Sequence, residues 1–381
     1  MSDDLFDLHV GYVSFKNPIA LAPMAGIVDS EFASKYAGDA GLVVLGAFNL
    51  DEGSIAVASE MVARGRKEFI SSEPLEFIKK EIRAVTTGSV VAVNVRSTTL
   101  GPLVEAAKMV KEEGAILELN AHCRQPEMLE AGLGEALLHD LPRLTAWILA
   151  IKETGVVLSV KVRADVVDDV KLARVIEKAG ADIIHVDAML NGFEGPDLAA
   201  ILNYRDSTRL FLIGNNSIRD FAGAKEAFSW GVNMVSVARG AMDDSGLVRE
   251  LVDGIGSYQK AIGWYNAPKH VCSNGDFRGL AFCCLPVKPC PVHEKFGKLG
   301  YTAEEFARTK LDFAKGTLLE FGQDTCFGSL VWCCKITKPC WIRDGALNAL
   351  DLSDASYMKL KRELAEYILD HARVPINESL Y

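Results

Sequence analysis

Eight short apolar runs, separated by segments with helical spacing, constrain the fold of residues 1–255 more than any other feature. The runs are PIALAPM, GLVVLGAF, VVAVNV, ILELNA, VVLSVKV, DIIHVDA, LFLIGN and MVSVAR. Near-continuous apolar strands are what a parallel sheet covered on both faces requires. The intervening segments, among them PLVEAAKMVKEEG, DVKLARVIEKAG and IRDFAGAKEAFSWG, read as amphipathic helices. Several end in glycine, which tolerates the left-handed conformation just past a helix. Eight strand–helix units in roughly 250 residues predict a (β/α)8 TIM barrel. The competing arrangement, a doubly wound open sheet, lacks a GxGxxG turn after the first strand.

The rest of the chain is of another kind. Of nine cysteines, one (Cys123) precedes residue 270 and eight follow it. Residues 256–381 are therefore expected to form a small, mostly helical, Cys-rich domain. Charge divides the same way: residues 1–254 carry 25 Lys+Arg against 37 Asp+Glu, and residues 255–381 carry 16 against 14. An acidic body is poorly suited to tracking a phosphate backbone, so a tRNA partner is disfavoured unless it meets a local basic patch. No apolar stretch approaches the ~20 residues of a membrane span. The start, MSDDLFDLHV, lacks the basic and apolar regions of a signal peptide. The expectation is a cytoplasmic protein with no membrane partner.

In a barrel of this kind chemistry sits where strands end. Those ends carry Pro23-Met24, Asn94, Asn120 with His122 and Cys123, Lys161 with Arg163, His185 with Asp187, Gly214-Asn215-Asn216, and Arg239-Gly240. A glycine after the seventh run and Arg-Gly after the eighth, each opening a helix, would offer backbone N–H groups and one fixed charge to a phosphate. The alternative is a pair of tight turns that need glycine for backbone reasons. Lys161 ends an apolar strand, where a lysine is costly unless it has a partner. It would bind a polar cofactor edge, form a Schiff base with a carbonyl compound, or pair with a carboxylate such as Asp187. Cys123 is a candidate proton donor or nucleophile beside His122 and Arg124, or else a small buried hydrophobe. His122 and His185 read first as hydrogen-bonded structural residues, with substrate contact as the second possibility.

The Cys-rich region writes one phrase twice: FCCLPVKPC and WCCKITKPC. With their leading thiols the sets are Cys272, Cys283, Cys284 and Cys290, then Cys326, Cys333, Cys334 and Cys340. Four thiols satisfy a cubane 4Fe-4S cluster or a tetrahedral zinc. A vicinal pair seldom chelates one zinc comfortably, and the prolines beside the last thiol of each set stiffen the chain there. Iron–sulfur is the favoured reading, with zinc and a redox dithiol or disulfide system as the alternatives.

The motifs LAPMAGIVDSEF, LELNAHCRQPEMLEAGLGEALLHDLPRL, VLSVKVRADV, GADIIHVDAMLNGFEGP, LIGNNSIRDFAGAKEAF and MVSVARGAM follow in the order found in tRNA-dihydrouridine synthases. Residues 15–250 resemble that family of FMN-binding barrels. The resemblance implies FMN contacts at Pro23, Met24, Asn94, Lys161 and Asp187, and phosphate contacts at Gly214, Asn215, Arg239 and Gly240. It implies a substrate-facing Asn120 and a catalytic Cys123 that protonates a ring opposite the incoming hydride. The chain departs from the family pattern at three places. His122-Cys123-Arg124 stands for Gly-Cys-Pro, Asn94 for a glutamine, and Asp187 for a histidine. A barrel joined to such a tail also resembles the family catalogued as methanogenesis marker protein 9. The expected activity is an FMN oxidoreductase acting on a planar unsaturated ring, free or in RNA, with electrons relayed through iron–sulfur centres and from a possible redox partner protein. Alternatives are a tRNA-dihydrouridine synthase with a zinc-structured tail, a Schiff-base lyase or aldolase on Lys161, and a non-catalytic electron carrier or assembly protein.

Overall fold

Alternation along each strand decides what this barrel encloses, because successive side chains point to opposite faces. The computed structural model describes residues 8–189, 195–208, 210–229, 232–262 and Ser353. Two short strands, β1 (Leu8–Val10) and β2 (Val13–Phe15), form an antiparallel hairpin. Eight parallel strands follow: β3 (Ile19–Leu21), β4 (Leu42–Asn49), β5 (Val90–Arg96), β6 (Ile116–Ala121), β7 (Leu158–Arg163), β8 (Ile183–Asp187), β9 (Phe211–Asn215) and β10 (Met234–Val237). They close in the order β10-β3-β4-β5-β6-β7-β8-β9. The eight runs of the sequence are these eight strands, and the TIM barrel expectation holds.

Leu8–Asp253 form one compact unit. The helix Leu247–Ile262 crosses the expected domain boundary at residues 255/256. The rest of 256–381 apart from Ser353, including all eight cysteines of the two sets, lies outside the described residues. Among the described residues no helix is long and apolar enough to cross a membrane.

The hairpin has no counterpart in the sequence reading. Its buried Leu8, Val10, Val13 and Phe15 pack with Leu42, Ala92, Ile116, Ile183, Phe211 and Met234. Most of those partners are first residues of their strands, so the hairpin plugs the N-terminal end of the barrel. The inward positions then change chemistry along the strands. Above the apolar floor comes a polar layer of Asn94, Glu118, Ser159, Lys161, His185 and Ser236, all buried. Above that, Arg96, Asn120, Arg163, Asp187 and Asn215 stand at the C-terminal rim. Register aligns the layers, pairing Glu118 with Ser159, Lys161 with His185, and Arg163 with Asp187.

Phe15 is fully buried and stacks against Phe211 with ring centroids 5.4 Å apart. Truncating Phe15→Ala opens a cavity in the floor and is expected to cost about 3–5 kcal/mol of unfolding free energy. Urea denaturation of the two proteins measures it, and a loss under about 1 kcal/mol would show that the hairpin is not a structural plug.

Candidate active site

Each mouth residue is aimed by its strand and held by its neighbours. Asn120, at the end of β6, donates to Asn94 Oδ1 (2.7 Å), and Asn94 donates to Glu118 Oε1 (2.8 Å). Asn120 Oδ1 in turn accepts from the backbone N–H groups of His122 (3.2 Å) and Cys123 (3.0 Å). One chain of side-chain amides thus fixes the turn that carries the thiol. Gly134 braces that turn from behind: it has φ +60°, and a Cβ there would stand 2.3 Å from the Cys123 carbonyl oxygen. Cys123 itself is half-buried and packs against the cluster containing Met128 and Leu133. Both readings of this thiol therefore describe it in part, since it also lines the cavity.

Under the mouth lies a charged network. Glu118 Oε2 accepts from Ser159 (2.9 Å) and meets His185 Nδ1 at 2.8 Å, while His185 Nε2 lies 2.8 Å from Ser236 Oγ. Lys161 Nζ is 3.0 Å from His185 Nε2. Burial pushes the Glu118 carboxyl up, but His185, Lys161 and Asn94 outweigh it and hold the group at about 2. Burial lowers both Lys161 and His185, against the pull of Glu118. Lys161 Nζ stands over the His185 ring, with the carboxylates of Glu118 and Asp187 both acting on its charge. One expectation is corrected here: His185 lies inside the barrel rather than at the mouth.

Asp187 meets His122 Nε2 at 2.7 Å. Burial raises its carboxyl, and the His122 hydrogen bond with the charges of Lys161 and Arg163 brings it down to about 2. This pair joins two of the three departures noted above, with an imidazole supplied from the turn after β6 and a carboxylate from β8. A second pair went unread in the sequence. Arg96 Nη2 binds Glu68 Oε2 at 2.5 Å, and Arg96 Nη1 lies 3.9 Å from Cys123 Sγ. Arg96 Nε and Glu68 Oε1 are buried without a hydrogen-bond partner among the described residues.

The rim groups and Lys161, but not Glu118, Ser159 or His185 beneath them, line one cavity of about 800 Å³. Ala22, Pro23, Met24 and Ala47 give it an apolar wall after β3 and in β4. Lys161 on β7 faces that wall, since β3 and β7 are four strands apart in both directions around the barrel. Asn215, Asn216, Arg239 and Gly240 line the remaining side. Asn215 donates to Ser236 Oγ at 2.7 Å. Gly214 is a further correction. It lies within β9, opens no helix and is absent from the cavity wall, and a Cβ there would meet Val232 at 2.7 Å. Packing explains that glycine. The helix Arg239–Asp243 is a single turn, so an anion there depends on the exposed Arg239 guanidinium more than on a helix dipole. Among the described residues no group of His, Cys, Asp or Glu is arranged to hold a metal ion.

Comparison with known proteins settles the relationship. The dihydrouridine synthase (Dus) family profile matches residues 20–267. This chain belongs to the dihydrouridine synthase family. A probable tRNA-dihydrouridine synthase of Rickettsia bellii is 29% identical over 257 residues, covering 64% of this chain and 73% of the relative. An uncharacterized protein of Methanocaldococcus jannaschii is 31% identical over 233 residues, covering 58% and 88%. The dihydroorotate dehydrogenase of Eimeria tenella, solved with ferulenol, shares the fold with a TM-score of 0.54 at 15% identity, covering 69% of this chain and 87% of that one. As a Dus-family protein the chain is a flavin-dependent oxidoreductase. The residues present fit that cofactor. The cavity has an apolar wall for a planar ring, a buried ammonium and amides opposite it, and Arg239 at one end for a phosphate.

Asp187 and Glu118 ionise more readily in the folded protein than in the unfolded chain. Their stabilisation is therefore fully present above the ordinary carboxylate values near 4 and is lost as pH falls through about 2. Asp187→Asn is expected to remove on the order of 2 kcal/mol of that acid-dependent loss. Thermal unfolding between about pH 5 and pH 2 measures it. An unchanged slope would mean that Asp187 is not held ionised by His122.

Proposed function

We propose that this protein is an FMN-dependent oxidoreductase acting on the carbon–carbon double bond of a uracil-type ring, free or carried in RNA, with electrons relayed through iron–sulfur centres in residues 256–381. The observation that carries the reading is the convergence of Cys123, Asn120 and Lys161 on one cavity facing the wall of Pro23 and Met24. FMN, when bound, supplies a hydride equivalent to the ring. Pro23 and Met24 would support the flavin face, Asn94 and Lys161 its polar edge, and Asn215, Arg239 and Gly240 its phosphate. Asp187 lines the same cavity and is bonded to His122.

The chain's own residues then handle the proton. Asn120 fixes the Cys123 turn through two backbone N–H bonds, so the thiol is positioned before a substrate arrives. Cys123 Sγ delivers a proton to the ring carbon adjacent to the one that receives the hydride, and in the oxidative direction it takes that proton back. Arg96, braced by Glu68, stands beside the sulfur and sets its position. Relatives named as tRNA-dihydrouridine synthases and as a dihydroorotate dehydrogenase share this ring chemistry, which supports the substrate class. Exposed Arg66, Arg124, Arg219 and Arg239 line the cavity, which favours an anionic substrate held locally rather than a long RNA track across an acidic body.

The iron–sulfur part rests on the number and repeated spacing of the eight tail cysteines. Protein purified without oxygen is expected to contain iron and acid-labile sulfide in equal amounts. Zinc without sulfide would overturn the relay. For the ring chemistry, photoreduced protein is mixed anaerobically with unmodified tRNA transcript, uracil or orotate, and flavin reoxidation is followed. At least one compound should reoxidise it, and Cys123→Ser should slow that step roughly 100-fold or more while retaining flavin. Reoxidation by none of the three, or an unchanged rate in the variant, would sink the assignment.

A further inference from the structure

The pair formed by His122 and Asp187 lines the cavity, yet it has no part in the steps above. His122 lies in the same turn as Cys123, and Asn120 Oδ1 holds the backbone N–H groups of both. Asp187 ends β8 level with Arg163, one inward step nearer the mouth than Lys161 and His185. The pair therefore spans β7 on the mouth side of Lys161. An ionised carboxylate only accepts hydrogen bonds, so Asp187 fixes a proton on His122 Nε2, 2.7 Å away. The other ring nitrogen, Nδ1, has no hydrogen-bond partner among the described residues. The His122 side chain is 29% exposed, so solvent and ligands can reach it from the cavity. Its carboxylate partner supplies the counter-charge that an imidazolium needs in a partly buried place.

We propose that His122, as the imidazolium, is a further catalytic residue: its Nδ1–H donates a hydrogen bond to a substrate carbonyl oxygen conjugated with the double bond being reduced. The inference rests on the ring-reduction reading above. Hydride arriving at the far carbon of the double bond forms one C–H bond. The displaced π pair runs through the near carbon onto the carbonyl oxygen, which is then negative. When Cys123 Sγ gives its proton to the near carbon, that pair forms the second C–H bond and the carbonyl is restored. The charge ends on sulfur, 3.9 Å from Arg96 Nη1. A donor aimed at the oxygen while it is negative lowers the barrier, because the charge is larger there than in the free substrate. The near carbon and the carbonyl carbon are bonded neighbours, so this donor must stand close to the thiol. His122 adjoins Cys123 and shares its anchor, whereas Arg96 is committed to Glu68 and Arg163 Nε lies 3.9 Å from Glu135. Asp187 is the positioning residue behind the imidazole. The substrate class narrows accordingly to rings with an α,β-unsaturated carbonyl; a cytosine-type ring, with an amino group at that position, offers no oxygen there.

Flavin content is measured first, on wild type, His122→Gln and Asp187→Asn. The oxidised proteins are then titrated with para-chlorophenol, whose phenolate is a planar ring bearing an anionic oxygen, and its long-wavelength charge-transfer absorption with bound FMN is followed. Wild type should bind it roughly 10-fold or more tightly than His122→Gln. Equal affinities, or no such band in wild type, would overturn the proposal. Reduced proteins are next mixed with uracil, orotate or unmodified tRNA transcript. The maximal rate of flavin reoxidation should fall about 100-fold in His122→Gln with little change in the half-saturating concentration, and Asp187→Asn should fall in the same direction by less. A change confined to the half-saturating concentration would refute a role in the transition state. Asp187→Asn carries both readouts if His122→Gln fails to fold. Wild type that neither carries nor takes up FMN brings down the flavin reading itself, whereas full flavin with unchanged phenolate affinity brings down His122 alone.

Discussion

A carboxylate and an ammonium enclosed in the same barrel set the terms for the rest of this structure. Removing Glu118 and Lys161 from water costs several kcal/mol for each ion, and an unpaired charge there would not be tolerated. The layer around them meets that cost by pairing: three amides, two hydroxyls and an imidazole form its hydrogen-bond network. Below it, the hairpin of β1 and β2 seals the barrel with apolar side chains. Polar groups on the inward-facing positions are therefore directed toward the C-terminal mouth, where a ligand can meet them.

At the mouth the departures from the family pattern are coupled rather than scattered. His122, in the turn just after β6, and Asp187, the last residue of β8, bind each other across β7. Arg96, one inward position beyond Asn94, brings a second cation to the thiol and carries its own counter-ion in Glu68. His122 and Arg96 each have a carboxylate partner. The cavity as a whole still carries an excess of positive side chains, with Arg124 next to Cys123 in the chain and exposed Arg66 and Arg239 along the wall.

Much of this was legible in the sequence, and the misses have physical reasons. The eight strands could be read because buried parallel strands are continuous apolar runs. Residues Asn94, Asn120, Cys123, Lys161, Asp187 and Asn215 could be placed near one another because barrel topology gathers strand ends. The hairpin was missed because three-residue strands leave almost no periodic signal. Glu118 did carry a signal: in ILELNA it shares the parity of Asn120, which places both inward. The same parity rule, counted back from Asp187, puts His185 two residues below the rim. Partners such as Glu68 with Arg96 lie 28 positions apart, and only the folded chain brings them together. Gly214 was misread because a glycine needed for close packing against Val232 looks, in sequence, like one needed for a turn.

The central claim is that the mouth of this barrel is built for FMN, and the most direct measurement is the flavin content of protein purified without oxygen. Absorption of the released cofactor, set against protein concentration, should give close to one FMN per chain, with Lys161→Ala retaining far less. A colourless protein that stays empty when titrated with FMN would contradict the claim, and Lys161 would then have to be explained by chemistry without a flavin.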